Sequence, residues 1–177
     1  MRLLPTGVLT LAIASSVTRA ALADDCRPIR THIETGVAAC DADFASPIGL
    51  CTTGTIDSGP LAGTTRFRAL TFVPAGNSPF VFHYTGQLEI TTRSGTVRIN
   101  DFGVINMQAD VFAELDKVTG GTGRFAGATG TLVSQGTAVN GAFSGSLVGA
   151  ICTDHHGHKA DAHERADDAK RDDADQE

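Results

Sequence analysis

The sequence has no tryptophan and a single tyrosine, and only 19% of its 177 residues are Asp, Glu, Lys or Arg, below the roughly 25% usual in globular domains. It lacks any sustained apolar stripe at helical spacing, which argues against a helical bundle. Cations are the minority charge, 14 Lys and Arg against 20 Asp and Glu. That balance excludes a protein whose main work is gripping nucleic acid or anionic lipid through phosphate charge. The four cysteines contain no C-x-x-C pair, so neither a zinc ribbon nor a thioredoxin-like redox motif is present. Its 20 glycines show no Gly-X-Y period, which rules out collagen.

What is present points to an exported β protein. Residues 1–23 carry an early cation (Arg2), an apolar stretch from Leu3 to about Ala14, and Ala21 and Ala23 in an A-x-A arrangement; this reads as a secretory signal peptide. The stretch is interrupted by Pro5 and Gly7 and falls short of the about 20 residues that span a bilayer. No other segment is long and apolar enough, so no membrane span is expected. Cleavage after Ala23 removes Arg2 and Arg19 and no acid, taking the formal charge from −6 to −8. Four cysteines in an exported chain imply two disulfides made in a secreted or periplasmic setting.

Three segments follow. Residues 24–45 read as an N-terminal arm without clean periodicity, in which Cys26 and Cys40 would close a local bridge. Residues 46–152 read as the β domain. The tail 153–177 has four cations, nine acids and four His but no Leu, Ile, Val or Phe, too little apolar surface to offset the cost of ordering, and is expected to be disordered. Its His155, His156, His158 and His163 are candidate metal ligands with no rigid scaffold to fix them, so no firm metal site and no cofactor are predicted.

Within the β domain the signal is period two. Phe80, Phe82, Tyr84, Leu88 and Ile90 fall on one face, with His83, Thr85, Gln87 and Glu89 on the other, the pattern of a half-buried antiparallel strand. Further runs lie at 48–56, 64–73, 95–99, 104–107, 111–118, 128–139 and 142–151, the last two joined by the hairpin signal Asn140-Gly141. Seven or eight short strands must hide their edges by closing as an antiparallel barrel or stacking as a sandwich. In a closed eight-stranded barrel the first and last strands are neighbours. This predicts Cys51–Cys152 as the closing bridge and Cys26–Cys40 as the local one.

Residues 118–131, V-T-G-G-T-G-R-F-A-G-A-T-G-T, gather Gly120, Gly121, Gly123, Gly127 and Gly130 around Phe125. The spacing fails the G-x-G-x-x-G dinucleotide fingerprint and lacks the lysine of a P-loop. It fits a tight inter-strand corner whose aromatic plugs a barrel end. This corner, following the strand run Val111–Leu115 and leading into the terminal hairpin, resembles that of plant allene oxide cyclases and dirigent proteins, and of bacterial secreted chains with an allene-oxide-cyclase-like barrel. The resemblance implies an eight-stranded antiparallel barrel with a mostly apolar cavity that folds a reactive small molecule into one stereochemical outcome, often as a homo-oligomer. It transfers no catalytic residue.

Candidates therefore come from the residues themselves. Tyr84, on the apolar face, could donate from its hydroxyl; Asp101 and Asn106 flank the Phe102-Gly103 segment, where a bulge could turn a polar group into a cavity. Arg66, Arg68, His83 and Glu114 are expected on the outer surface. Two functions remain open: an isomerase or cyclase-like barrel around a small apolar ligand, marked by a cavity of several hundred Å³, or a non-catalytic barrel packed by Phe67, Phe80, Phe82, Leu88, Val97, Ile99, Leu115, Leu132, Phe143 and Leu147.

Overall fold

A computed structural model describes residues 25–153. The expected signal segment and the tail histidines His155, His156, His158 and His163 lie outside the described residues. The fold is an all-β closed barrel of eight antiparallel strands, each paired with its sequence neighbour and β1 with β8. The strands are β1 (Asp25–Ala38), β2 (Cys51–Ile56), β3 (Gly63–Pro74), β4 (Val81–Thr92), β5 (Gly95–Asn106), β6 (Val111–Gly121), β7 (Thr129–Val139) and β8 (Ala142–Thr153). Closure leaves no sheet edge to protect, so the sandwich alternative falls away.

Three sequence expectations are corrected. The arm at 24–45 is largely strand β1, so the barrel runs from residue 25 to 153 rather than from 46 to 152. Its inward positions are Ile29, Thr31, Ile33 and Thr35; alternating with two threonines, the two isoleucines leave only a faint period-two signal. The disulfides are Cys26–Cys152 and Cys40–Cys51, not Cys51–Cys152 and Cys26–Cys40. The rule that the closing bridge joins first and last strands holds, but the first strand is β1, where Cys26 stands directly opposite Cys152. Finally, residues 95–106 form one continuous strand whose register shift lies at Arg98/Ile99, so Asn100–Gly103 is neither bulge nor corner.

The two barrel ends differ. One is plugged by the 3-10 turns Gly59–Leu61 and Gly123–Phe125, whose Leu61 and Phe125 are buried with Ile90, Val97, Leu132 and Leu147. The glycine corner serves this plug: Gly123 and Gly127, with φ of 57° and 69°, take a left-handed backbone that a side chain would strain. Asn140-Gly141, with φ of 51° and 78°, forms the expected hairpin turn at the opposite end. There the loop 39–50 is held by Cys40–Cys51 and by the Phe44 ring under both Arg66 and Arg68, and an aromatic cluster of Phe67, Phe72, Phe82, Tyr84, Phe112 and Phe143 lines the interior. Phe80 and Leu115, expected inside, are 46% and 53% exposed.

No described helix is long and apolar enough to cross a membrane. Two disulfides fit an oxidising, extracellular or periplasmic setting.

Candidate functional site

The site is built by cross-strand register. On β4, β5, β6 and β7, Tyr84 stands opposite Gly103, Gly103 opposite Glu114, and Glu114 opposite Ser134. All four face inward. Because Gly103 has no side chain, the Tyr84 ring lies across it, and the Tyr84 hydroxyl donates to Glu114 Oε1 at 2.5 Å, two strands away. A Cβ on Gly103 would overlap that ring. One step along the barrel, Gly86 stands opposite Asp101 and Asp101 opposite Asp116. The Phe67 ring fills the space above Gly86.

Three carboxyl groups thus meet inside one barrel. Asp101 and Asp116 are 4% and 0% exposed. Ser134 Oγ contacts Glu114 Oε2 and lies 3.0 Å from Asp116 Oδ2, and Asp101 lies against Asp116. The contacts of Tyr84 with Glu114 and of Ser134 with Glu114 and with Asp116 number three, yet Tyr84 and Ser134 bring one hydroxyl proton each. Neither Asp101 Oδ1 nor Asp116 Oδ1 receives a hydrogen bond from any donor among the described residues. Proton counting therefore requires the acids to hold protons themselves. Burial and mutual repulsion say the same: desolvation first, then the Asp116 and Glu114 charges, push Asp101 well above the usual carboxylate range. Desolvation and the Glu114 charge push Asp116 up to about 7. Desolvation raises Glu114, opposed by the hydrogen bonds from Ser134 and Tyr84. Burial and the Glu114 charge raise Tyr84, which stays a phenol donor. A carboxylic acid kept protonated beside a carboxylate is the pairing that acid–base chemistry uses.

The cavity next to this cluster measures about 70 Å³. Asp101, Tyr84 and Glu114 supply its polar groups together with Thr35 and Thr52, while Phe67, Phe72, Phe112 and Phe143 share its apolar wall with Ile33, Leu50, Ala69, Leu88 and Ile105. Leu50, from the disulfide-held loop, and Thr35 are half-buried at its rim.

Of the sequence candidates, Tyr84 and Asp101 come together here. Asn106 does not: its Oδ1 accepts the backbone N–H groups of Gln108 and Ala109 at 3.0 and 3.1 Å, capping the β5–β6 turn. Asp101 needs no bulge, because ordinary alternation from Val97 and Ile99 turns it inward while Phe102 is 54% exposed. Glu114 is corrected from outside to inside: the buried Phe112 and Val118 fix the phase of β6, and Glu114 and Asp116 share their face. Phe72 also moves inward, since a register shift between Ala69 and Thr71 flips the parity of β3. Arg66 and Arg68 stay outside, bound to Glu89 and Asp43 and to Gln87; His83 is exposed against Phe102. Glu114, Asp116 and Ser134 were the residues missed, although the alternation Phe112-x-Glu114-x-Asp116-x-Val118 carries the signal. Among the described residues no group of three or more His, Cys, Asp or Glu is placed to hold a metal ion.

Scanned against protein-family models, curated proteins and solved structures, the chain matches none.

Gly103→Ala tests this geometry. The added methyl must displace Tyr84, at a cost of about 1–3 kcal/mol, and break its hydrogen bond to Glu114. Tyr84 is the only tyrosine and there is no tryptophan, so intrinsic emission reads this one site. We expect the Gly103→Ala emission to shift toward that of free tyrosine, with a lower unfolding midpoint; unchanged emission would contradict the placement of the ring.

Proposed function

We propose that this protein is an exported barrel that binds a small, largely apolar molecule at its aromatic end and guides a proton-transfer isomerisation or cyclisation of it. The observation that carries this reading is the convergence of Tyr84, Asp101 and Glu114 on an otherwise aromatic cavity. A purely structural interior gains nothing from three carboxyl groups without a counter-charge, since burying them costs free energy that apolar side chains would not. In the proposed role Asp101 and Glu114 exchange protons with the ligand, and Tyr84 orients Glu114. The aromatic walls exclude water and limit the conformations a reactive molecule can adopt. The resemblance of the glycine corner to allene-oxide-cyclase-like and dirigent-like barrels supports the same reading, and the signal-like N-terminus supports export.

The cavity volume favours the alternative of a packed, non-catalytic barrel, because about 70 Å³ is well below the several hundred Å³ that enclose a drug-sized ligand. It is also below the about 150 Å³ of a cavity that binds benzene, so a ligand would seat only part of one ring or one short chain among the phenylalanines, the rest standing at the rim beside Thr35 and Leu50. Native mass spectrometry of the purified protein and thermal melts with single-ring compounds decide between the two. A bound ligand at a hundred times its Kd adds about 2.7 kcal/mol and roughly 8 °C to Tm. Absence of both a co-purified molecule and any rise in Tm at millimolar ligand would leave the packed barrel.

A further inference from the structure

Among the described residues the cavity's charged lining is acidic only: Asp101 and Glu114 line it, and no Arg, Lys or His does. The cations on the neighbouring strands, Arg66, Arg68 and Arg98, project from the opposite face of the sheet, where Arg66 is held by Asp43 and Glu89 and Arg68 by Gln87. Asp101 is 4% exposed, lines the cavity, and its Oδ1 receives no donor from the described residues. Each ligand class meets this differently. A carboxylate or phosphate would add negative charge beside unmatched acids where water cannot screen it. A neutral hydrocarbon leaves Asp101 to keep its proton and gains nothing from the polar edge of the cavity. An ammonium group supplies both the missing donor and the missing charge, and the faces of Phe67, Phe72 and Tyr84 attract a cation through their ring quadrupoles.

We infer that the ligand is a small organic cation, a single aromatic or alicyclic ring with a protonated amine one or two bonds away, whose N–H groups donate to Asp101 and Glu114 while its ring sits among the phenylalanines. This rests on the small-molecule reading above and narrows its substrate class. In the protein by itself a proton on Asp101 meets the donor shortage; the ammonium meets it with its own charge and releases that proton, so binding of the cation expels protons whereas binding of a neutral ring does not.

The experiment compares three probes of one shape, benzylammonium, benzyl alcohol and benzoate, on the full chain at pH 7.5. Salt at about 0.3 M screens exposed acids, and Tyr84 emission together with calorimetry in two buffers of different ionisation enthalpy gives the readout. We expect benzylammonium to bind at least tenfold more tightly than benzyl alcohol with release of protons, and benzoate not to bind. Asp101→Asn should abolish the tenfold preference for the ammonium over the alcohol. If the alcohol binds as well as the ammonium in the wild-type protein, the cation assignment is wrong and the small-molecule reading stands. If none of the three binds to folded protein, both are wrong. Should Asp101→Asn keep the tenfold preference, Asp101 is not the acceptor and the inference fails on that residue.

Discussion

Replacing Cys26 and Cys152 together by serine is expected to lower the free energy of unfolding by about 5 kcal/mol, against about 3 kcal/mol for the pair Cys40 and Cys51. The difference follows from loop length. The first bridge spans a sequence separation of 126 and the second one of 11, and the conformational freedom that a cross-link removes from the unfolded chain grows with the logarithm of the loop it closes. Their positions add a qualitative contrast. Cys26 and Cys152 face each other on β1 and β8, the seam between the ends of the barrel, so their loss frees both terminal strands at once. Cys40–Cys51 pins only the loop that carries Leu50 to the cavity rim. Against a total stability of typically 5–15 kcal/mol, the seam bridge decides whether the barrel stays folded at physiological temperature. Guanidinium unfolding of the two double variants measures both losses. Equal midpoints would show that the seam's backbone hydrogen bonds, and not the cross-link, determine closure.

Much of this fold is legible in the residues because period-two alternation and turn chemistry are local. The run Phe82, Tyr84, Leu88, Ile90 on β4 and the turn Asn140-Gly141 need no knowledge of the rest of the chain. What is not legible depends on partners distant in sequence. β1 hides because its inward threonines, Thr31 and Thr35, look polar until the strands beside them are known, and that one missing strand carried the disulfide pairing with it. The parity of β3 reverses at Ala69/Thr71, a backbone event with no side-chain signature. The site shows both cases. Tyr84 is visible on an apolar face. Glu114 and Asp116 read as a solvated face, because acids between exposed apolar residues such as Ala113 and Leu115 ordinarily mark the outside; only the phase set by Phe112 and Val118 turns them inward.

That inversion has a measurable consequence in the pH dependence of stability, which should run opposite to the usual acid denaturation. Asp101, Glu114 and Asp116 all have their proton affinities raised by burial, Asp101 and Asp116 also by the charges of neighbouring acids. Asp116 moves from the ordinary 3.8 to about 7. Between these limits the folded barrel holds protons that the unfolded chain has released, so the free energy of unfolding falls as pH rises. The stabilisation is complete below about pH 4 and is lost as pH passes through about 7, a change on the order of 4 kcal/mol for Asp116 at one pKa unit per 1.4 kcal/mol. The three acids titrate as one coupled system, so the loss spreads over the interval and is not a single step. Asp43 and Asp57, whose proton affinities are lowered by hydrogen bonds from Arg66 and from Ser58 and Thr31, act in the opposite sense, but below pH 4 and at exposed positions where water and salt screen them. Chemical unfolding at a series of pH values from 4 to 8 should therefore show a falling midpoint in the wild-type protein. In Asp116→Asn, whose amide mimics the protonated acid in shape but carries no charge at any pH, the profile should be flatter, and the variant should exceed the wild type in stability at pH 8 while matching or trailing it at pH 4. A wild-type midpoint that climbs from pH 5 to pH 8 would mean that the buried acids are compensated as anions, and the proton count that joins Tyr84, Glu114, Ser134 and Asp116 would be wrong.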